Sequence, residues 1–330
     1  MIFITGGTGL IGSFLIRNLL AEGAALKVLY RQHIPSEFEQ KSNIEWIKGD
    51  ILDTALLRDL MPGITQVYHC AGLVSYAPQD AALLKEINVT GTANIVNVCL
   101  ENPGVKLCHV SSVAAIGHVK GQQVLTEATK WDLNASHSAY ANSKYFGELE
   151  VWRGIAEGLP AVIVNPSVIL GPAADWSRSS TQLFKYVFEE HKFYTRGGAN
   201  FVDVRDVIMA MTALMQADIT GERFILNAGL LSYEAFFMQV ARGLQKKAPS
   251  VKVPGLLTEI IWRAEAMRSF FTRKRPLITK ETARIAKKNH LYSNEKIKTK
   301  LQFKFIPLEK TILWCCQELN QTHRSQPAAV

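Results

Sequence analysis

The sequence predicts an α/β protein: a doubly wound parallel sheet with a smaller, mostly helical C-terminal lobe. Through residue 172, short apolar runs alternate with amphipathic segments of helix length, as in chains whose strands and helices alternate. The apolar runs are nearly continuous, which is typical of parallel strands covered on both faces. A glycine-rich turn, TGGTGLIG at 5–12, joins the first strand directly to the first helix.

The first 171 residues divide into strands and helices by their apolar pattern. The predicted strands are IFIT (2–5), LKVLY (26–30), IEWIKG (44–49), QVYHCAG (66–72), KLCHVSS (106–112) and PAVIVNPSVILG (160–171). The predicted helices are SFLIRNLLAEG (13–23), TALLRDLMPG (54–63), ALLKEINVTGTANIVNVCLENPG (82–104) and a segment at 138–157. Gly23, Gly158 and the Asn102-Pro103-Gly104 sequence mark the ends of three of these helices.

The alternating pattern changes after Pro172. Residues 173–200 are irregular, polar and aromatic, 201–222 return to the α/β pattern, and 223–330 mix helices with few strands. We therefore predict a main domain at 1–172 that is rejoined by about 201–222. The remaining two stretches form the smaller lobe.

The composition is that of a folded, water-soluble chain. Its 330 residues are 48% apolar and 20% charged, which suits a globular protein with a large core. Five cysteines, without the spacing of a metal site, predict neither disulfides nor zinc and favour a reducing cytoplasm. There is no basic leader before an apolar core and no run of about 18 apolar residues, so we expect neither a secretory signal nor a simple transmembrane helix.

The net charge of +8 is concentrated in one stretch. Basic residues crowd 263–288, and aromatic residues accompany them in 262–275. Two interpretations stay open: a solvated helix face, or a surface that contacts a membrane or an anionic partner. No nucleic-acid-binding module accompanies the charge, so we expect no nucleic-acid partner.

The glycine-rich turn predicts a dinucleotide site. Its letters satisfy Gly7-x-Gly9-x-x-Gly12 and also the wider Gly6-x-x-Gly9-x-x-Gly12. Glycines permit the tight turn, the close approach of backbone to pyrophosphate and the close packing of helix on strand, with the diphosphate at the positive helix N-terminus. Because the turn lies between a strand and a helix, it indicates a Rossmann-type site. The residues we assign to it are Gly6, Thr8, Gly9, Leu10, Ile11 and Gly12.

The end of the second strand favours NADP over NAD. An acidic residue there would accept hydrogen bonds from a ribose with two free hydroxyls, but the chain has Tyr30 and Arg31. A guanidinium can bind a 2′-phosphate through two charge-assisted hydrogen bonds. The alternative is that Arg31 only faces solvent.

Two further strand ends are candidates for cofactor contacts. Asp50 follows the third strand, where it can accept from the adenine amino group while Ile51 packs on the ring; an Asp is also common in a purely structural turn. Cys70, Ala71 and Gly72 end the fourth strand in small residues that let the backbone lie against a cofactor.

A tyrosine and a lysine stand four residues apart in the helix at 138–157. Tyr140 and Lys144 would project from one face, about 5–6 Å apart, so they can act on one small molecule. The same spacing also arises by chance on solvated helices, so the pair alone does not identify an active site.

The ordered motifs of the first 230 residues resemble the extended short-chain dehydrogenase/reductases, also described as the NAD-dependent epimerase/dehydratase superfamily. The motifs that carry the resemblance are TGGTGLIG, GDILD, CAG, INVTGTANI, VSSVAAIG, Tyr140-x-x-x-Lys144, NPSVILGP and FVDVRDV. Within that family the chain looks most similar to the dihydroflavonol reductase branch.

The resemblance implies catalytic roles. Tyr140 would be the general acid or base at a carbonyl or alcohol oxygen, and Lys144 would lower its pKa and bond the nicotinamide ribose. Ser112, preferred over its neighbour Ser111, would hold the substrate oxygen. Asn88 would support a proton relay, although a structural role in bonding helix backbone is an equal alternative.

The resemblance also implies contacts around the nicotinamide and the substrate. Pro166 and Val168 would lie beside the nicotinamide, while Val74 and Ser167 would face the substrate. Relatives often form homodimers through two long helices, which correspond here to about 81–100 and 138–157.

One departure from the family narrows the expected chemistry. Epimerases and dehydratases commonly carry an arginine beside the proline-glycine motif, but NPSVILGPAAD has none, and the nearest is Arg178. We therefore expect an NADP-dependent reductase of a ketone or aldehyde. The alternatives are a nucleotide-sugar epimerase or dehydratase, a sterol-type dehydrogenase, or a non-catalytic NADP sensor.

Overall fold

The computed structural model describes residues 1–117, 121–173, 176, 180–254 and 290–325, with side chains as far as residue 321. The basic and aromatic stretches at 263–288 and 262–275, and Arg178, lie outside these residues. None of the helices within the described ranges combines the length and the apolar character that a membrane crossing requires.

Strands and helices alternate through the first two thirds of the chain. The strands are β1 (Ile2–Thr5), β2 (Leu26–Tyr30), β3 (Ile44–Lys48), β4 (Gln66–His69), β5 (Lys106–Val110), β6 (Val124–Leu125), β7 (Ala161–Pro166), β8 (Val168–Leu170), β9 (Phe193–Thr195), β10 (Gly198–Asp203), β11 (Glu222–Leu226), β12 (Gly229–Ser232), β13 (Val251–Val253) and β14 (Leu291–Tyr292). The helices are α1 (Leu10–Ala21), α2 (Thr54–Leu60), α3 (Ala81–Lys85), α4 (Gly91–Leu100), α5 (Ala139–Ala156), α6 (Thr181–Phe188), α7 (Val204–Gln216), α8 (Tyr233–Leu244), α9 (Glu295–Leu301) and α10 (Leu308–Ser325).

The main sheet has seven strands in the order β11-β7-β5-β4-β1-β2-β3, all parallel. This confirms the doubly wound α/β fold. The chain builds outward from β1 in both directions, so the strand order reverses between β1 and β4. Ligands of such sheets bind in the crevice at the carboxyl ends of the strands at this reversal.

Helices cover both faces of the sheet. Helices α1 and α7 pack on one face and α2, α4 and α5 on the other. Alternate strand residues point to opposite faces, and each face has its own apolar core. The first core includes Ile4, Val28, Tyr68, Val162 and Val164, and the second includes Phe3, Leu29, Val67, Leu107 and Ile163.

The later part of the chain forms a separate aromatic core. A three-stranded sheet, β12-β10-β8, and the pair β13-β9 lie with helices α6, α8 and α10. This lobe therefore contains short strands as well as the predicted helices. Its buried residues include Phe184, Phe201, Phe236, Ile312 and Leu319. Helix α7 packs on the main sheet and β11 is its edge strand, so the chain returns to the main sheet after β10.

Candidate active site

The glycine-rich turn connects β1 to α1 at the carboxyl edge of the sheet. Gly6 has a φ of 70°, a left-handed conformation that favours glycine, and it lies against the backbone of Ala71. A side chain at Gly12 would collide with the Gly6 carbonyl. Gly9 is the N-cap of α1 and supplies no side-chain acceptor, so the first amides of the helix stay available to an anion. Thr8 and Gly9 are exposed, which leaves room for a diphosphate.

The residues that follow β2 and β3 differ in their exposure and in their contacts with the rest of the protein. Arg31 is exposed and makes no ion pair or hydrogen bond with another residue in the described ranges. Asp50 accepts a hydrogen bond from the Leu52 amide (3.0 Å), which closes a turn. Ile51 is buried against Gly91 at the start of α4. Among the described residues the Arg31 guanidinium thus has no partner, whereas the side chain of Ile51 is packed inside.

Ser112 and Tyr140 meet at the carboxyl end of β5. Ser112 follows this strand and begins a short 3-10 turn, in which its Oγ accepts from the Ala114 amide (3.1 Å). Tyr140 lies in the first turn of α5, whose N-cap is Ser138. The Ser112 hydroxyl lies close enough to the Tyr140 phenol to act on its pKa as a hydrogen-bonding group. The structure therefore brings together two of the residues predicted to bind the substrate oxygen.

Lys144 lies one helical turn after Tyr140 and is buried. Its ammonium donates to the Val110 carbonyl (2.9 Å). A Cβ added to Gly72 would lie 3.6 Å from its Nζ, so the small residue at the end of β4 stands beside the ammonium. Burial lowers the pKa of Lys144 to about 8, and the charge of Glu148 acts against that shift.

The surroundings of Tyr140 shift its pKa upward. Burial raises this pKa, and the hydrogen bond from Ser112 opposes the shift without overcoming it. Lys144 is not among the groups that shift this pKa in the protein chain, so its lowering of the Tyr140 pKa stays a prediction. The ammonium of Lys144 is directed at the Val110 carbonyl, and the phenol lies in surroundings that disfavour a charge.

Asn88 lies in a π-helical turn, Glu86–Thr90, between α3 and α4. Its Oδ1 accepts from the Leu73 amide (2.7 Å), and its Nδ2 donates to the Leu73 carbonyl (2.9 Å) and the Ser143 hydroxyl (2.9 Å). The side chain therefore ties the loop after β4 to α5. These contacts are structural, but they involve loop backbone and a side chain rather than the helix backbone that the structural alternative expects; the role of Asn88 in a proton relay stays a prediction.

The predicted contact residues that follow β4 and β7 differ in their exposure to solvent. Cys70 and Ala71 follow β4, and their amides are bonded to the carbonyl and hydroxyl of Thr5 (3.1 and 3.3 Å). Val74 and Val168, predicted to face substrate and nicotinamide, are exposed at 59% and 38%.

Ser167 and Pro166 belong to the protein interior. Pro166 ends β7, and Ser167 is buried with its hydroxyl 3.2 Å from the Asn227 Oδ1. The hydroxyl predicted to face a substrate is therefore already bonded within the protein.

Buried polar groups beneath this site were not predicted from the sequence. His69 is bonded to the hydroxyls of Thr5 (2.7 Å) and Thr92 (3.0 Å). His109 lies beside it, with ring centroids 5.2 Å apart, and neither of its nitrogens has a partner in the described part of the chain. Burial lowers the pKa of both imidazoles, that of His69 to about 3. Each histidine ends or nearly ends a short apolar strand, and this polar residue at the strand end was the signal available in the sequence.

Glu148 was also missed, although it follows Lys144 by four residues. That spacing puts both side chains on one face of α5 and was visible in the sequence. Glu148 is 1% exposed and ion-paired with Arg223 (2.8 Å).

A groove of about 740 Å³ lies elsewhere on α5. It is lined by Tyr145, Leu149 and Trp152 of this helix and by the loop 126–131, but not by Ser112, Tyr140 or Lys144. Its size alone therefore does not identify the catalytic site, which is defined by the chemical groups at the strand ends.

Comparison with known proteins is consistent with this geometry. The NAD dependent epimerase/dehydratase family matches residues 2–229. A Synechocystis protein provisionally named dihydroflavonol 4-reductase is 32% identical over 262 residues, which cover 76% of this chain and 75% of that protein. Sterol demethylase protein B of Methylococcus capsulatus is 25% identical over 290 residues, covering 86% and 87%. Cinnamoyl-CoA reductase 1 of Petunia hybrida is 25% identical over 247 residues, covering 70% and 73%.

Solved structures share the fold over nearly the whole chain. The crystal structure of gox2253 superposes with a TM-score of 0.83 at 28% identity and covers 98% of this chain and 99% of that one. A UDP-glucuronic acid 4-epimerase from Bacillus cereus, in complex with NAD, has a TM-score of 0.75 at 20% identity, with the same coverage. The similarity to this epimerase, at 20% identity, supports the fold alone.

Proposed function

This chain belongs to the NAD-dependent epimerase/dehydratase family, among the extended short-chain dehydrogenase/reductases, and we propose that it is an NADP(H)-dependent oxidoreductase of ketones or aldehydes. In the reverse direction it would oxidise the corresponding alcohol. Membership confirms the resemblance noted in the sequence and makes the chain an enzyme of a family that uses a nicotinamide cofactor.

The placement of Ser112 beside Tyr140, at the carboxyl end of β5, is the observation that carries the proposal. It pairs a hydroxyl that can hold a carbonyl oxygen with a phenol that can protonate it. When bound, the reduced nicotinamide supplies the hydride. The fit is supported by the open N-terminus of α1 and by Gly72, which leaves space beside Lys144.

In the reductive direction Tyr140 acts as the proton donor. Because burial raises its pKa, the hydroxyl stays protonated at neutral pH and is ready to donate its proton to an alkoxide that forms on the substrate. Lys144 would place a positive charge one turn away, which stabilises the phenolate left behind. Tyr140 and Lys144 are both buried, which limits the access of bulk water to the proton transfer.

The substrate class follows from the relatives and from a missing arginine. The curated relatives include proteins named as dihydroflavonol and cinnamoyl-CoA reductases. The NPSVILGPAAD segment carries no arginine for a sugar-nucleotide diphosphate. An epimerase or dehydratase, or a sterol-type dehydrogenase, is the alternative. A non-catalytic sensor is disfavoured because the chain keeps both Tyr140 and Lys144.

A substrate panel tests the reaction. The protein is incubated with NADPH and with ketones, aldehydes or sugar nucleotides, and nicotinamide absorbance and products are measured. We expect NADPH oxidation with carbonyl compounds. Epimerised or dehydrated sugar nucleotide without net cofactor turnover would contradict the proposal.

The cofactor preference rests on Arg31. The guanidinium at the end of β2 can bind a 2′-phosphate, so replacing Arg31 by Ala should weaken NADP binding by about 10- to 100-fold and leave NAD binding unchanged. The Arg17→Ala variant is a matched control, since Arg17 is also partly exposed but is paired with Glu37. Equal losses for both cofactors in the Arg31 variant would contradict the assignment.

We also propose that the chain forms a homodimer through α3, α4 and α5. Leu83, Phe146 and Leu149 are 42%, 45% and 40% exposed on α3 and α5, which is the apolar surface such a contact would cover. Analytical ultracentrifugation tests this, and a monomer at high protein concentration would contradict it.

A further inference from the structure

Glu148 is a buried carboxylate that the proposed chemistry does not use. It lies on α5 one turn after Lys144 and is 1% exposed. Its oxygens accept from four donors: Ser111 Oγ (2.6 Å), Asn165 Nδ2 (2.7 Å), Arg223 Nη1 (2.8 Å) and Trp152 Nε1 (3.3 Å). A buried charge with so many partners is held in one position, because breaking any contact leaves a polar group unpaired.

Two of these donors lead to Ser112. Ser111 is its neighbour in the chain, and its amide is bonded to Val164 of β7 (2.8 Å). The Nδ2 of Asn165 also donates to the Ser112 carbonyl (3.0 Å). The backbone at Ser112 is therefore linked to Glu148 in two ways. The preceding residue, Ser111, bonds Glu148 directly, and Asn165 bonds both the Ser112 carbonyl and Glu148.

Glu148 is also the source of negative charge for Lys144. The other titratable groups that act on this lysine are His69 on β4, Cys70 directly after β4, and His109 on β5. Burial raises the pKa of Cys70 to about 12 and lowers the pKa of both imidazoles, so all three are neutral near pH 7. Among the described groups that act on Lys144, the carboxylate of Glu148 thus supplies the opposing charge.

We infer that Glu148 is a positioning residue of the active site: it fixes the backbone of Ser112 and keeps a negative charge beneath Lys144. The expected effect of Glu148 on turnover rests on the proposed function. Its expected effect on the charge of Lys144 does not, because it concerns the protein without substrate. Arg223 completes the arrangement, since it pairs with Glu148 and donates to the Glu127 carbonyl (2.9 Å).

The first test measures the charge of Lys144 directly. Isotope-labelled lysine is titrated by NMR, and the Lys144 signal is identified by its absence in Lys144→Met. We expect a pKa of about 8 in the unmodified protein and, in Glu148→Gln, a value lower by about one pH unit. Glu150→Gln is the matched control, because Glu150 lies on the same helix and is paired with Arg153 (3.0 Å). The same Lys144 pKa in Glu148→Gln as in the control overturns the inference.

The second test measures turnover. We expect Glu148→Gln to lose about tenfold in kcat with little change in KM for NADPH, because the catalytic groups shift while the cofactor site is kept. The alkaline limb of the kcat profile should also move to lower pH, which a loss of stability alone would not cause. Unchanged kcat and an unchanged limb overturn the inference.

A second variant covers the case in which the partly buried Arg223 guanidinium, left without its ion-pair partner, prevents folding. Glu148→Gln/Arg223→Met removes both charges, so no unpaired ion remains, and it is carried through both measurements. If the unmodified protein turns over none of the carbonyl compounds but the Lys144 pKa still falls in the variant, the proposed function fails and the inference stands.

Discussion

The two faces of the main sheet are built from different side chains, although they share the same strands. Toward α1 and α7, the strands present apolar residues along their whole length: Ile4, Tyr68, Cys108, Val110, Val162 and Val164. Toward α4 and α5, the face is apolar at first, with Phe3, Val67, Leu107 and Ile163. Near the carboxyl ends it becomes polar but stays buried, with Thr5, His69, His109, Ser111 and Asn165.

The apolar side chains stabilise the fold, whereas the buried polar side chains lie beside the proposed catalytic groups. A buried apolar side chain contributes about 1.5–3 kcal/mol through removal from water, whereas a buried polar group costs free energy unless it is hydrogen-bonded. The polar half of the second face is therefore a costly arrangement, and its hydrogen bonds lead to Ser112, Glu148 and Asn88. We expect substitutions on the apolar face to change stability and those on the polar half to change activity.

The largest effect on turnover is expected for Tyr140, which lies beside the polar half of the second face. Tyr140→Phe removes the proton donor and keeps the buried ring, so kcat should fall by about a thousandfold while cofactor affinity is kept. Steady-state rates and a fluorescence titration with NADPH measure the two quantities. Tyr145→Phe, on the same helix but in the outer groove, is the control. Turnover that survives in Tyr140→Phe would refute the role of this hydroxyl.

Adjacent residues of β7 allow the two faces to be compared directly. Asn165→Ala removes the contacts with Ser112 and Glu148, and we expect a loss of about tenfold in kcat and about 1–3 kcal/mol in stability. Val164→Ala opens a cavity in the other core and should cost about 2 kcal/mol with kcat unchanged. Urea unfolding and steady-state kinetics check both. Equal losses of kcat would remove the distinction between the faces.

The two buried histidines test whether all polar groups of that half are equally needed. His69→Leu takes a partner from the hydroxyls of Thr5 and Thr92, so the free energy of unfolding should fall by about 1–2 kcal/mol. His109→Leu replaces a ring with no hydrogen-bond partner among the described residues, and stability should stay the same or rise by about 1 kcal/mol. A larger loss in the His109 variant would show that its ring nitrogens are satisfied.

A pH-dependent effect is expected from a carboxyl on α7, a helix that covers the apolar face. Asp206 in α7 is buried, its Oδ2 accepts from the Ile306 amide (2.9 Å), and burial raises its pKa to about 6. Because this value exceeds the unfolded value of about 3.9, the folded state holds the proton more tightly. Stability conferred by this group is therefore lost as the pH rises from about 4 to about 6.

Asp206→Asn removes that dependence and keeps the acceptor for Ile306. We expect the variant to be more stable than the unmodified protein by about 1–2 kcal/mol above pH 6, with the difference vanishing near pH 4. Urea unfolding across this pH range measures it. Parallel curves for the two proteins would contradict the prediction.

Most of the fold was predictable because its signals are local. The glycine turn, the continuous apolar strands and the helix-length segments between them predicted the doubly wound sheet, which is confirmed. The π-helical turn at Asn88 and the short pairing of β6 with β14 were not predicted, since neither has a distinct apolar period. The predicted catalytic set was partly visible as well, because Tyr140 and Lys144 are separated by one helical turn.

The sequence by itself determined the order of the elements, the nucleotide turn and the spacing of Tyr140 and Lys144, since periodicity and turn chemistry act over a few residues. Only the tertiary structure decided the surroundings of these groups. Burial raises the pKa of Tyr140, and helix α5 packs Glu148 against Ser111, Asn165 and Arg223, which are 37, 17 and 75 residues away in the chain. Such contacts depend on how a helix rests on a sheet, which no short stretch of residues specifies.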